Sequence, residues 1–398
     1  MGQLRGLWRD GLFQATRPLA ILALVAGCAA DEGQTADAAA KAETVTGCGG
    51  AKLLSWSKAP ALADEGLLRG PWPVGARTVT LAGLTTEIWY PAKPGSEKGQ
   101  PRVAYDLRTW LPAGEQGKIP DANAPKLDCD CARDLPADAD HGPYPVIVFV
   151  HGTAGFRAQS MSLMTAWASH GFIVVAADHP KIVLSDALQL ILGADQPGDA
   201  RALLAAVRSR DAALGPLATL VYPAQLAVAG HSAGGNATGM VGGEAGVRVA
   251  IPMASGGVDP ATSVTATVVL GGVDDDVVPY SKTQKGYEAT VGSKWLLGLK
   301  GAGHLAFSDL CVIGASDGGL LGVANKYGIT LPPGTGPLFE KLASDGCKPG
   351  QMAPERGWRL SVAATLPVLR QVLHCQAGAA AAFSKLASEP DVSEARAP

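Results

Sequence analysis

Residues 226–235 read LAVAGHSAGG. The first four are small or apolar and predict a short buried strand. Residues 230–234, GHSAG, then fit the pattern G-x-S-x-G. In that pattern the serine sits on a tight strand-to-helix turn, with its hydroxyl raised above the sheet. Glycines flank it because a Cβ there would strike the neighbouring strand and helix. Taken alone the pentapeptide is a weak signal, since Gly, Ser and Ala are common and the chain carries 50 glycines. A glycine-rich turn without chemistry is the competing reading, and the surrounding sequence decides between the two.

Around that turn the chain alternates strands and helices. The run VIVFV at 146–150 is continuously apolar, as expected of a strand covered on both faces. Residues 161–168 predict a helix and 172–177 the next strand. After 226–229 and the helix that follows the turn, 247–252, 264–270 and 295–299 predict three more strands. Such alternation implies a mostly parallel sheet in an α/β fold. Ahead of it, 79–81 and 86–90 predict an antiparallel pair joined at Ala82-Gly83. Residues 92–143, rich in Pro, Asp and Gly, read as a long surface excursion. Residues 183–215 read as helical, with the first part a candidate lid over the site. The segment 311–387 reads as a helical extension in which Pro367 marks a start or a kink. Residues 388–398 read as a disordered tail.

The chain of 398 residues is 47% hydrophobic and 17% charged, enough for one large α/β domain with extensions or for two domains. A net charge of −3 supplies no basic face for nucleic acid. No apolar run approaches the ~18 residues of a membrane-spanning helix. Residues 1–27 read as a targeting segment: Arg5, Arg9 and Arg17 precede a short apolar run at 19–26. It ends in VAGC at 25–28, which resembles a bacterial lipobox. That resemblance implies cleavage before Cys28 and attachment of lipid to its sulfur. Ala29 in place of Asp then favours the outer membrane; an ordinary signal, giving a secreted or periplasmic protein, is the alternative. Residues 28–67 read as a flexible tether. The catalytic domain is expected over 68–310, as a monomer that meets a membrane through the lipid on Cys28.

Six further cysteines in an exported chain predict disulfides. Cys129 and Cys131 are read as too close to bond to each other, so each is expected to reach elsewhere. Cys311, Cys347 and Cys375 are expected to staple the extension. No partner pair at zinc spacing accompanies Cys129-Asp-Cys131, and the acids at 121–134 fit no EF-hand, so no metal site is expected.

A serine hydroxyl needs a base within hydrogen-bond reach, and the base needs an orienting carboxylate. The order Ser, acid, His, each after a strand, is present here. GVDDDVVP at 272–279 offers three acids; it resembles the G-x-x-D-x-V-V-P loop of α/β-hydrolases, and that resemblance implies Asp275, with Asp274 and Asp276 as solvated flanks. GAGHLAF at 301–307 offers His304 as base. Of the other histidines, His231 is expected to point away from the serine, while His151 and His179 end strands and are candidates to line the pocket. Ala233, after the nucleophile, and Thr153, in HGTAG at 151–155, are the expected backbone donors of an oxyanion hole. This chemistry requires no metal or organic cofactor.

HGTAGFRAQS and WASHGFIVVAADHP within 151–180, GHSAGG, and GAGHLAFSD together resemble the platelet-activating-factor acetylhydrolase family and its bacterial polyester-hydrolase and lipase-like relatives. GPWPVG and EIWYPA, from Gly70, fit the same family's opening strands. The similarity spans roughly 68–310. It implies an α/β-hydrolase fold, esterase activity on small, lipid or polyester substrates, and the same residues: Ser232, Asp275 and His304, with Thr153 and Ala233 as oxyanion donors. The chain departs from the polyester hydrolases at 253–257, MASGG, where those enzymes often carry a Trp. Two other readings remain: an amidase or peptidase using the same triad, and a non-catalytic binding lipoprotein on this scaffold.

Overall fold

The structure, a computed structural model, describes residues 68–259 and 264–398, with the backbone of two short paired strands, Val45–Thr46 and Lys52–Leu53. The targeting segment, Cys28 and nearly all of the expected tether lie outside the described residues. Among the described residues no helix is long and apolar enough to cross a membrane.

The expected parallel strands are β5 (Tyr144–Val150), β6 (Ile173–Ala177), β7 (Val221–His231), β8 (Val247–Met253), β9 (Ala266–Gly272) and β10 (Ser293–Leu299). They pair in parallel in the order β6-β5-β7-β8-β9-β10. Every residue of β5 is buried, and its side chains divide by parity. Ile147 and Phe149 join one apolar layer, Val146, Val148 and Val150 the other. The first layer is completed by helices α1 (Met161–Ser169) and α7 (Pro354–His374). The second is completed by α2 (Gln196–Ser209) and α3 (Ala233–Val241). A sheet covered by helices on both faces has no solvent face, which is why its central strands read as unbroken apolar runs. This is an α/β-hydrolase fold.

On the other side of β6 the sheet turns antiparallel. The predicted hairpin is β1 (Val74–Leu81) and β2 (Leu84–Pro91), turning at Ala82 and Gly83, both with positive φ. Four features differ from expectation. The excursion at 92–143 contains two strands, β3 (Arg102–Asp106) and β4 (Lys126–Arg133), which extend the sheet edge. Their side chains alternate between buried and exposed, a short period-two signal hidden by the surrounding Pro and Gly. Cys129 and Cys131 are bonded to each other, with Cα atoms 5.1 Å apart. Residues two apart on a strand share a face, and at that Cα spacing the bond is within reach. The expected disordered tail instead forms β11 (Val392–Arg396), pairing antiparallel with β10 at the opposite edge. Pro367 lies inside α7, which runs unbroken for 21 residues.

The extension is stapled as expected, by Cys311–Cys347, and Cys375 is also disulfide-bonded. Between the two bonded cysteines lie helices α5 (Gly319–Lys326) and α6 (Gly336–Ser344).

Candidate active site

Ser232 follows the last residue of β7 and precedes the first of α3, with φ 59° and ψ −119°. A side chain in that region is strained, and it persists only where the surroundings over-determine it. Here they do. A Cβ on Gly230 would lie 2.3 Å from the carbonyl oxygen of Gly234, and one on Gly234 would lie 2.1 Å from that of Val150. The chain can turn this sharply only with hydrogen at both positions. The Ser232 N–H donates to the Met253 carbonyl at 2.9 Å, tying the turn to β8.

Asp275 stands in the loop after β9 and is buried, while Asp274 and Asp276 are exposed. Its Oδ1 accepts the N–H groups of Val277 and Val278 at 2.8 and 2.6 Å, and Oδ2 meets His304 Nδ1 at 2.8 Å. The structure thus brings the central acid of the three to the histidine. That bond assigns the Nδ1 proton of His304 to Asp275 and leaves Nε2 as the basic nitrogen. His304 and Ser232 both line one cavity, together with Gly152, Thr153 and Ala154.

The loop after β5 is held by a histidine that does not line this cavity as expected. The His179 N–H donates to His151 Nε2 at 3.0 Å, so His151 carries its proton on Nδ1, which lies 2.8 Å from the Gly152 carbonyl. Burial lowers the pKa of His151 to about 3, so it stays neutral. The Gly155 N–H also donates to the Gly152 carbonyl, at 3.0 Å. A trans peptide points its C=O and N–H in opposite directions, so anchoring this carbonyl turns the Thr153 N–H the other way. Ala233 is the first residue of α3, where helical N–H groups have no partner within the helix.

His231, expected to point away from the serine, lines the same cavity. Its ring packs against His304, with centroids 4.7 Å apart. Gln159 Nε2 donates to His231 Nδ1 at 2.8 Å, and His231 Nε2–H donates to the His304 carbonyl at 2.8 Å. Gln159 Oε1 accepts the Gly152 N–H at 3.0 Å. One amide therefore links the loop after β5 to the turn at Ser232 and, through His231, to the backbone of His304. Burial, with His304 alongside, lowers the pKa of His231 to about 3. Nothing local in the sequence marks Gln159, which sits one residue before Ser160 in a buried stretch.

The cavity is partly open to solvent, and its lining is mostly apolar. Its walls come from three segments: Leu107, Leu111 and Ile119 in the excursion, Leu184 and Leu188 in the expected lid, and the stapled extension. From the last come Leu320, Leu321, Phe339 and Leu342. Trp110 stacks on Phe156 at 4.2 Å, lies under the Arg157 guanidinium at 4.9 Å and donates its Nε1–H to Asp178 at 3.0 Å, which pins the excursion beside the site. Leu190, Ile191 and Leu192 stand exposed just beyond Leu188. No group of residues able to hold a metal ion occurs among the described residues.

Fold and site together define the class: an α/β-hydrolase fold with a strained serine at a strand-to-helix turn and a His–Asp pair beside the same cavity. The family model described as chlorophyllase matches residues 135–268. That span includes Thr153, Ser232 and Ala233 and ends before Asp275 and His304. The match supports the α/β-hydrolase class and does not reach the narrower platelet-activating-factor acetylhydrolase resemblance of the motifs. No curated protein matches the chain.

Proposed function

We propose that this chain is a serine hydrolase of carboxylic esters whose acyl or alcohol part is large and apolar. Ser232 Oγ attacks the ester carbonyl while His304 Nε2 takes its proton, and Asp275 steadies the imidazolium that results. The N–H groups of Thr153 and Ala233 stabilise the oxyanion. His304 then protonates the leaving alcohol, and water, activated by the same imidazole, cleaves the acyl-enzyme. The observation that carries this reading is the meeting of a strained serine and a buried His–Asp pair at one apolar cavity.

The lining favours lipid-like esters over small polar ones, because it offers hydrocarbon contacts and few polar partners. A lipid on Cys28 in an exported chain would keep the enzyme near such substrates. Polyesters remain within this class, though 253–257 lacks the Trp those hydrolases often carry. The test is hydrolysis of p-nitrophenyl esters from acetate to palmitate by the chain from residue 29 and its Ser232→Ala variant. The account expects Ser232-dependent activity that favours medium or long acyl chains. Activity confined to acetate would remove the apolar-substrate claim. Anilide turnover as fast as ester turnover would move the reading to an amidase.

A further inference from the structure

The acid and the base stand on different loops, after β9 and β10, and the hydrogen bond between them requires both loops to keep a fixed separation. The side chain that spans the two loops comes from neither. Asp345, directly after α6, is fully buried, and its Oδ2 accepts the Asp276 N–H at 2.9 Å and the His304 N–H at 3.0 Å. Its own carbonyl accepts the Leu305 N–H at 2.8 Å. One residue therefore grips the backbone of the base itself, the residue after the base and the residue after the acid.

The approach is close. A Cβ on Gly303 would lie 2.4 Å from the Gly346 nitrogen and 2.8 Å from Asp345 Oδ1. Gly346, with φ +107°, would bring its own Cβ to 2.8 Å from the Leu305 nitrogen. Gln351 closes the other side, accepting the Gly346 N–H at 2.8 Å and facing Asp345 Oδ1 at 3.4 Å. Two residues on, Cys347 bonds Cys311, so the segment carrying Asp345 is covalently returned to the chain shortly after His304.

We propose that Asp345 is a positioning residue that holds the His304 and Asp275 loops in register, and that the Cys311–Cys347 bond keeps it there. The inference rests on the triad reading above. The stapled segment then serves both ends of the reaction: α5 and α6 wall the substrate cavity, and the residue that follows them sets the base. Buried N–H donors that lose their acceptor either remain unsatisfied or move to find another, and in either case the loops shift. A displacement of about 1 Å at a catalytic group can cost about 100-fold in rate.

The test compares Asp345→Ala, Asp345→Asn and the double variant Cys311→Ala/Cys347→Ala with wild type, each checked for folding by circular dichroism. Two readouts are taken: kcat and KM on the best p-nitrophenyl ester, and the far-downfield proton NMR signal of the His304–Asp275 hydrogen bond. For Asp345→Ala the expected result is a fall in kcat of about 10- to 100-fold with KM changed by less than about threefold, and a lost or displaced downfield proton. Asp345→Asn keeps an oxygen acceptor and should restore kcat to within about fivefold of wild type. A folded Asp345→Ala protein that retains either wild-type kcat or an unmoved proton overturns the proposal. If that variant does not fold, the double cysteine variant decides by the same two readouts. Should wild type show no Ser232-dependent turnover, the esterase reading fails, while the downfield proton still decides the role of Asp345.

Discussion

Ser232 and His304 face the same cavity but are fixed by opposite means. The sharp turn at Ser232 is shaped by β7, by α3 and by the backbone of the strands beside them. Two glycines and one strained residue accomplish it. His304, by contrast, hangs on a loop after β10 and is held from afar. Asp275 lies 29 residues before it, Asp345 41 after and His231 73 before. Local sterics hold Ser232 and long-range hydrogen bonds hold His304. The first kind of support leaves a mark in the sequence; of the second, only Asp275 does.

The largest expected effect tests whether the two halves form one machine. Ser232→Ala and His304→Ala should each lower kcat by about 10,000-fold or more, and the double variant should lose little further. Fully additive losses would mean that the residues do not act together. Next comes the local support. Gly234→Ala places a Cβ against the Val150 carbonyl, so it should fail to give soluble protein or lose most of its thermal stability. Gly256→Ala, where a Cβ meets nothing within 4 Å, should behave as wild type in the same melting experiment. Equal effects at both glycines would break the steric account.

The remote support should give a smaller, graded loss. Gln159→Ala leaves the Gly152 N–H and His231 Nδ1 without their partner, and kcat should fall about 10-fold in steady-state assays with the fold intact. An unchanged kcat would show that the nucleophile turn and the loop after β5 hold themselves.

The smallest effect concerns pH and stability. Burial lowers His151, His231 and His374 to about 3, whereas in the unfolded chain each titrates near ~6.5. Their folded pKa lies below the unfolded one, so the unfolded state binds more protons across that window. Stability is therefore full above ~6.5 and declines as pH falls toward 3. Asp309, raised by burial to about 7, works in the opposite direction, but it is one group against three. The melting temperature should drop by at least about 5 °C between pH 7 and pH 5. A flat or rising melting temperature would contradict the neutral buried histidines.

The same division explains what could be read in advance. The central strands, the nucleophile turn and the order of acid and base were legible because each is written in a contiguous stretch. Asp275 could be chosen among three acids by the resemblance of its loop, and it is the one the structure brings to His304. Strands β3, β4 and β11 escaped because they are half-polar and lie at or next to a sheet edge, and Pro and Gly around them imitate loop composition. The Cys129–Cys131 bond escaped because closeness in sequence was weighed without the shared face of a strand. Gln159 and Asp345 acquire meaning only when the fold brings distant loops to them.

The central claim is that Ser232 is a nucleophile made reactive by His304 and Asp275. Its most direct test is labelling with a fluorophosphonate, followed by peptide mass mapping of wild type and His304→Ala. The account predicts one covalent adduct per wild-type chain, on the peptide containing Ser232, and labelling slowed at least about 1,000-fold in His304→Ala. An adduct at another residue, or a Ser232 that labels equally well without His304, would contradict it.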